Sequence, residues 1–121
     1  MIHLDHLTIF VADVACSREW YTQHIGLKFE FEIPGAHVAA LQDDGGLTLF
    51  VEKATQAGGA ASCVLTFRVA DVEEKCRELS DCGVVLEAQP QKLFWGYGAE
   101  LRDPDGYLIR LWDELSMHEK G

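Results

Sequence analysis

The sequence predicts an α+β fold of two tandem βαβββ modules forming a shared cleft, and three observations carry this. First, His6-Leu7-Thr8-Ile9-Phe10-Val11-Ala12-Asp13-Val14 recurs 58 residues later as Val64-Leu65-Thr66-Phe67-Arg68-Val69-Ala70-Asp71-Val72, identical at six of nine positions. A repeat of this kind marks the duplicated unit as half of the architecture. Second, Leu41-Gln42-Asp43 and Gly46 recur as Leu101-Arg102-Asp103 and Gly106, at an offset of 60. Third, each copy runs through the same order of patterns: strand, acidic cap, helix, then three strands.

Residues 3–11 alternate as a strand, with His6, Thr8 and Phe10 on one face and Leu7, Ile9 and Val11 on the other. Asp13 is an N-cap residue, and the helix after it extends to about Ile25 and stops at Gly26. Trp20 and Tyr21 lie at helical spacing and read as core. Residues 27–33 form a strand with Phe29 and Phe31 on one face, and Pro34-Gly35 is a turn. A hairpin follows, with strands at 37–42 and 47–52 joined by Asp43-Asp44-Gly45-Gly46. Residues 54–62, rich in Gly and Ala, read as a flexible linker.

The second half repeats the plan. A strand at 63–69 leads to Asp71, which caps a helix through Cys82 that Gly83 ends. A strand at 84–88 follows, and Pro90-Gln91-Lys92 leads into a loop. The last hairpin has strands at 97–102 and 107–113 around Asp103-Pro104-Asp105-Gly106, and the polar tail at 116–121 is expected to fray. The chain therefore reads as a single domain over 1–121, with one repeat at 3–53 and the other at 62–114.

Composition narrows the partners. The net charge of −10 argues against nucleic acid, whose phosphates need Lys and Arg, and suits a cationic small ligand. No run approaches the length of a membrane span, and Met1-Ile2-His3-Leu4-Asp5 lacks a basic segment followed by an apolar one, so neither membrane nor signal peptide is expected. The four cysteines show no Cys-x-x-Cys spacing and read as reduced thiols of a cytoplasmic protein, with Cys76 and Cys82 as small hydrophobes on a helix. His3, His24 and His118 are expected to face solvent.

His6-Leu7-Thr8-Ile9-Phe10-Val11-Ala12-Asp13, Trp20-Tyr21, Ile25-Gly26-Leu27 and Arg102-Asp103-Pro104-Asp105-Gly106-Tyr107 followed by Ile109-Arg110-Leu111 resemble the vicinal-oxygen-chelate superfamily. That superfamily includes glyoxalase I, extradiol dioxygenases and bleomycin-resistance proteins. In its metal-dependent members the ion is held by four positions on the first and last strands of the two modules. By resemblance these are His6, Phe50, Val64 and Arg110. The repeat agrees, because Phe50 and Arg110 coincide at the offset of 60.

Only His6 among the four carries a metal donor as found. Phe and Val have none, and Arg is a fixed cation. A catalytic site needs about three protein ligands and an open position. Glu52, two residues beyond Phe50 on the same strand face, with His37 and Glu100, supplies candidates for a rearranged set built on His6 and Glu52. Without it, His6 reads as a hydrogen-bonded cleft histidine.

Positions of matching parity line the expected cleft with aromatic area and a few polar groups, as small-molecule pockets are lined. The candidate ligand-binding residues are His6, His37, Phe50, Glu52, Trp95, Tyr97, Arg110 and Trp112. Phe94-Trp95-Gly96-Tyr97-Gly98 reads as a glycine-flexed loop that presents Trp95 to a planar ligand or a cation. Arg110 and Arg68 offer bidentate pairing to a carboxylate or phosphate, or neutralise Glu52 or Glu100. No catalytic residue is assigned: no Ser-His-Asp arrangement, phosphate loop or Cys/His cluster occurs.

The leading reading is metal-independent binding of a small organic ligand, cationic or planar aromatic, with no cofactor. It resembles the bleomycin-resistance branch, whose proteins sequester drugs, and by that resemblance the chain is a homodimer. The alternative is a glyoxalase-like lyase or isomerase, or a dioxygenase, that uses divalent Zn, Ni, Mn or Fe held by a rearranged ligand set. A third reading is a filled cleft that serves only as a structural or partner-binding unit.

Overall fold

A computed structural model describes residues 4–33, 35, 37–55 and 63–121. The chain divides into two compact units, Met1–Gly59 and Ala60–Gly121. Each is a four-stranded sheet with helices, and together they are the two βαβββ modules expected. The expected linker falls largely outside the described residues, as do His3 and Pro34 of the expected turn.

In the first unit β1 (His6–Val11) is followed by α1 (Val14–Trp20), whose end widens into a π-helical turn over Tyr21–Ile25. β2 (Lys28–Ile33), β3 (Val38–Gln42) and β4 (Thr48–Lys53) complete it in the sheet order β1-β4-β3-β2. β1 and β4 run parallel, with His6 opposite Thr48 and Thr8 opposite Phe50. Asp13 accepts the Cys16 N–H at 3.0 Å, so the acid after β1 is the N-cap expected. Gly26 takes a φ of 96°, which a left-handed helix stop requires.

One sheet face is buried under α1, and Ile9, Val11, Ala39, Leu41 and Val51 on it are at most 2% exposed. Among the described residues the other face carries no helix of this unit. β2 departs from simple alternation. Phe29 pairs with Leu41 while Phe31 pairs with Ala40, so one extra residue is inserted between them. This bulge turns the two phenylalanines to opposite faces, where the sequence placed them on one. Arg18 of α1 covers the Phe29 ring at 5.4 Å, and Phe31 meets Phe50 on the helix-free face.

In the second unit β5 (Val64–Arg68), α2 (Val72–Asp81), β6 (Leu86–Leu93), β7 (Gly96–Arg102) and β8 (Leu108–Trp112) repeat the order, with sheet order β5-β8-β7-β6. Thr66 lies opposite Arg110 as Thr8 lies opposite Phe50, so the sequence repeat is a repeat of register. Asp71 caps α2 through the Glu74 N–H at 3.1 Å. Asp103 takes the N–H groups of Asp105 and Tyr107 at 2.9 and 2.8 Å and thereby closes the last hairpin.

Three expectations are corrected here. Pro90 does not open a loop: β6 continues through it to Leu93, because β6 is an edge strand and its register shifts between Ala88 and Gln91. Proline lacks an N–H and is tolerated at such an edge bulge. The tail does not fray. Residues Glu114–Lys120 form α3, capped by Asp113 and anchored by Met117 against Gly96 and the Tyr97 N–H. Cys82 is exposed at the C-cap of α2, whereas Cys76 is buried as expected. Burial, with Glu73 nearby, pushes the Cys76 thiol up to about 11 and keeps it protonated at neutral pH.

Asp113 joins three elements. Its carboxylate accepts the Val72 N–H that starts α2 at 2.7 Å and the Ser116 N–H of α3 at 2.6 Å. Burial alone would raise this carboxyl. The Val72 and Ser116 N–H groups and the Ser116 hydroxyl outweigh that and hold it below its ordinary value.

Candidate functional site

Strand period places the even-numbered residues of β1 and β4 on the first unit's helix-free face and those of β8 on the second unit's face opposite α2. In the first unit Phe50 stands there between His6, edge-on at 4.9 Å, and Phe31 at 6.1 Å. Phe10 and Ile33 on the same face are about half exposed, at 50% and 48%. The result is an aromatic platform with one imidazole at its edge. His6 Nδ1 pairs with the exposed Asp5 carboxylate at 2.9 Å.

The second unit puts a polar cluster at the equivalent place. Arg110 Nε donates to Glu100 Oε2 at 3.0 Å, and both side chains are about four-fifths buried. Trp95 Nε1 donates to the same oxygen at 3.1 Å. The guanidinium lies over the rings of Phe94 and Trp95, at 5.2 and 5.5 Å. Gly98 makes this possible, because a Cβ there would run into the Trp95 indole and the Leu111 carbonyl oxygen. The indole therefore folds back across β7. The expected flexible loop is instead the two-residue Phe94-Trp95 turn between β6 and β7.

Glu100 is the partner of Arg110 that the sequence offered as one of two uses for that cation. Arg68 pairs elsewhere, with Glu114 at the start of α3 at 2.7 Å. Trp112 is half-buried opposite Arg68 on β8. Glu52 is half-buried on the first unit's helix-free face, opposite Phe10 and Val38.

Two candidates lie off these faces. Tyr97 is buried on the helix side of its sheet, where its hydroxyl donates to Glu73 of α2 at 2.6 Å. That bond, with burial, raises the phenol to about 12. Its odd position in β7 groups it with the buried Ala99 and Leu101. His37 sits just before β3 in a left-handed conformation (φ 53°). It lines a cavity of about 410 Å³ with Glu32, Lys53 and the start of α1.

Neither unit by itself supplies the donors that a divalent ion needs. The first unit supplies His6 beside Phe50, and the second supplies Val64 and an Arg110 already bound to Glu100. The rearranged pair does not converge. His6 is opposite Thr48 and Glu52 is opposite Phe10, so they stand four residues apart along the strand pair. Four residues span about 13 Å, and strand side chains project perpendicular to the sheet. Ligand bonds to such ions are about 2 Å long. Among the described residues no group of three or more His, Cys, Asp or Glu is placed to hold an ion. Within each unit these residues do not fit a divalent metal centre.

Phe94, Gly98 and Glu100 were the members of the second cluster not assigned to ligand binding from sequence. Glu100 had a signal, its parity with Arg110 across β7 and β8. Gly98 had none, because the indole that crosses it comes from a turn outside the strand pattern.

The sequence matches the model of the Glyoxalase/Bleomycin resistance protein/Dioxygenase superfamily over residues 3–111. No curated protein matches it by sequence. Among solved structures it is similar to TnmS3, an antibiotic binding protein from Streptomyces sp. CB03234. That likeness has 26% identity and a TM-score of 0.78, covering 93% of this chain and 96% of that one. A possible glyoxalase from Bacillus cereus is similar at 23% identity and TM-score 0.77, over 92% of this chain and 98% of that one. A lactoylglutathione lyase from Agrobacterium tumefaciens is similar at 14% identity and TM-score 0.72, over 92% of each chain. These last two likenesses concern the fold alone. Among the described residues no helix is long and apolar enough to cross a membrane.

Proposed function

The chain belongs to the Glyoxalase/Bleomycin resistance protein/Dioxygenase superfamily, and from that premise we propose that it binds a small, flat organic ligand without a metal, on the face of its second unit opposite α2. One fold of this kind hosts many activities, so the site must carry the choice. The observation that carries it is the connected cluster of Trp95, Glu100, Arg110 and Phe94. Each polar group in it is held by another, and the aromatic rings provide flat apolar area. A rigid aromatic surface with a few fixed polar groups is how small-molecule sites are built. Phe94 is 91% exposed at the turn, which leaves a large ring available to a ligand.

The likeness to TnmS3, an antibiotic binding protein, supports the same kind of task here. Chemistry through a metal is disfavoured by the residues themselves: one donor at the four expected positions, and an arginine at another. A thermal-shift screen of chelator-treated protein against planar aromatic compounds tests the proposal. A ligand present at 100 times its Kd adds about 2.7 kcal/mol of stability. Trp95→Ala removes that shift. A ligand that shifts Trp95→Ala and the parent equally places the site elsewhere.

A further inference from the structure

The polarity of the ligand is written in the unused atoms of Arg110. Its guanidinium carries five N–H donors in a fixed fork. Nε is taken by Glu100 Oε2, and Nη1 and Nη2 have no hydrogen-bond partner among the described residues. The side chain is 21% exposed and neither Nη atom is fully buried, so these donors are unpaired within the protein and open to a ligand. The group is also positioned, because Glu100 holds it at Nε and it lies over the Phe94 and Trp95 rings.

We infer that the free end of Arg110 recognises an oxygen acceptor on a flat aromatic ligand, a carboxylate or a ring carbonyl, and so sets the specificity of the site. This rests on the ligand-binding reading above and adds the chemistry of what is bound. Pairing to a guanidinium is coplanar, so a ring attached to the acceptor continues in the plane of the group that lies over Phe94 and Trp95. Glu100 neutralises the charge of Arg110 but leaves its outer donors in place. The net charge of −10 favours a cation at long range, yet it is screened beyond about 8 Å at physiological salt, and at contact the donors decide.

The test is calorimetric titration of the whole chain with three bicyclic probes: 2-naphthoate, its neutral methyl ketone 2-acetylnaphthalene, and 2-naphthylmethylammonium. The acid and the ketone are expected to bind about tenfold or more tighter than the cation. An acid stronger than the ketone identifies charge as part of recognition; equal binding identifies the hydrogen bonds alone. Arg110→Lys, which keeps the charge and loses the fork, is expected to cost the acid about tenfold, and Arg110→Leu to erase the preference among the three probes. If the cation binds as tightly as the acid, or Arg110→Leu leaves the preference intact, this inference falls while the ligand-binding reading stands. If no probe binds the parent chain, both fall.

Discussion

Trp95 and Glu100 are joined by a single hydrogen bond of 3.1 Å that decides where the indole lies. The accepting oxygen is also the one that holds Arg110, so one carboxylate oxygen positions both an aromatic face and a cation. Glu100→Gln keeps the shape and removes the charge. It is expected to loosen both partners, weaken ligand binding, and cost about 1–3 kcal/mol of stability. Ligand titration and urea unfolding, read by tryptophan fluorescence, check this. An unchanged ligand affinity would show that Trp95 holds its place without Glu100.

Gly98 is the space that lets the indole cross β7. A methyl at this position meets the Leu111 carbonyl oxygen as well as the ring, and the backbone partner has nowhere to move. Gly98→Ala is therefore expected to destabilise by about 1–3 kcal/mol and to displace Trp95. Chemical denaturation gives the first number, and the emission maximum of Trp95 in a Trp20→Phe, Trp112→Phe background reports the second.

Asp113 links the end of β8 to the starts of two helices through Val72 and Ser116. Its carboxyl lies below its ordinary value, so its contribution is fully present above the unfolded value of about 3.9. The contribution is lost as pH falls through the lower folded value. Asp113→Asn is expected to cost about 1–3 kcal/mol at pH 7. The gap between parent and variant is expected to close in urea titrations carried down towards acid denaturation. A gap that stays constant with pH would contradict the assignment.

Tyr97 faces α2 rather than the ligand site. Its phenol, raised to about 12 by Glu73, stabilises the fold below the unfolded value of about 10, and that contribution is lost as pH rises through 12. Tyr97→Phe is expected to remove one late-ionising tyrosine from the absorbance titration at alkaline pH. It is also expected to leave ligand affinity unchanged. A large loss of affinity would return Tyr97 to the site.

Much of this architecture was legible because it is duplicated. The paired caps Asp13 and Asp71, the paired turns at Asp43 and Asp103, and the matched registers of Phe50 and Arg110 are all visible as one motif written twice. What was not legible depends on contacts remote in sequence. The bulge that separates Phe29 from Phe31 is set by pairing with β3, and period-2 reading has no means of inserting a residue. Pro90 reads as a breaker until β6 is known to be an edge. The tail looks polar and free until Met117 is seen against Gly96. In the site, the repeat singled out Arg110 and Glu100 was offered as a group it could neutralise, but the fold-back of Trp95 over Gly98 is a tertiary event with no local pattern.

The central claim is that the chain binds its ligand through Trp95 and Arg110 without a metal. The most direct measurement is titration of chelator-treated protein with a flat aromatic ligand found by screening, repeated after addition of Zn, Ni, Mn or Fe and in His6→Ala and Trp95→Ala. The prediction is binding before any metal is added, unchanged by the metals and by His6→Ala, and weakened about tenfold or more by Trp95→Ala. Binding that appears only with a stoichiometric metal and vanishes in His6→Ala would contradict it.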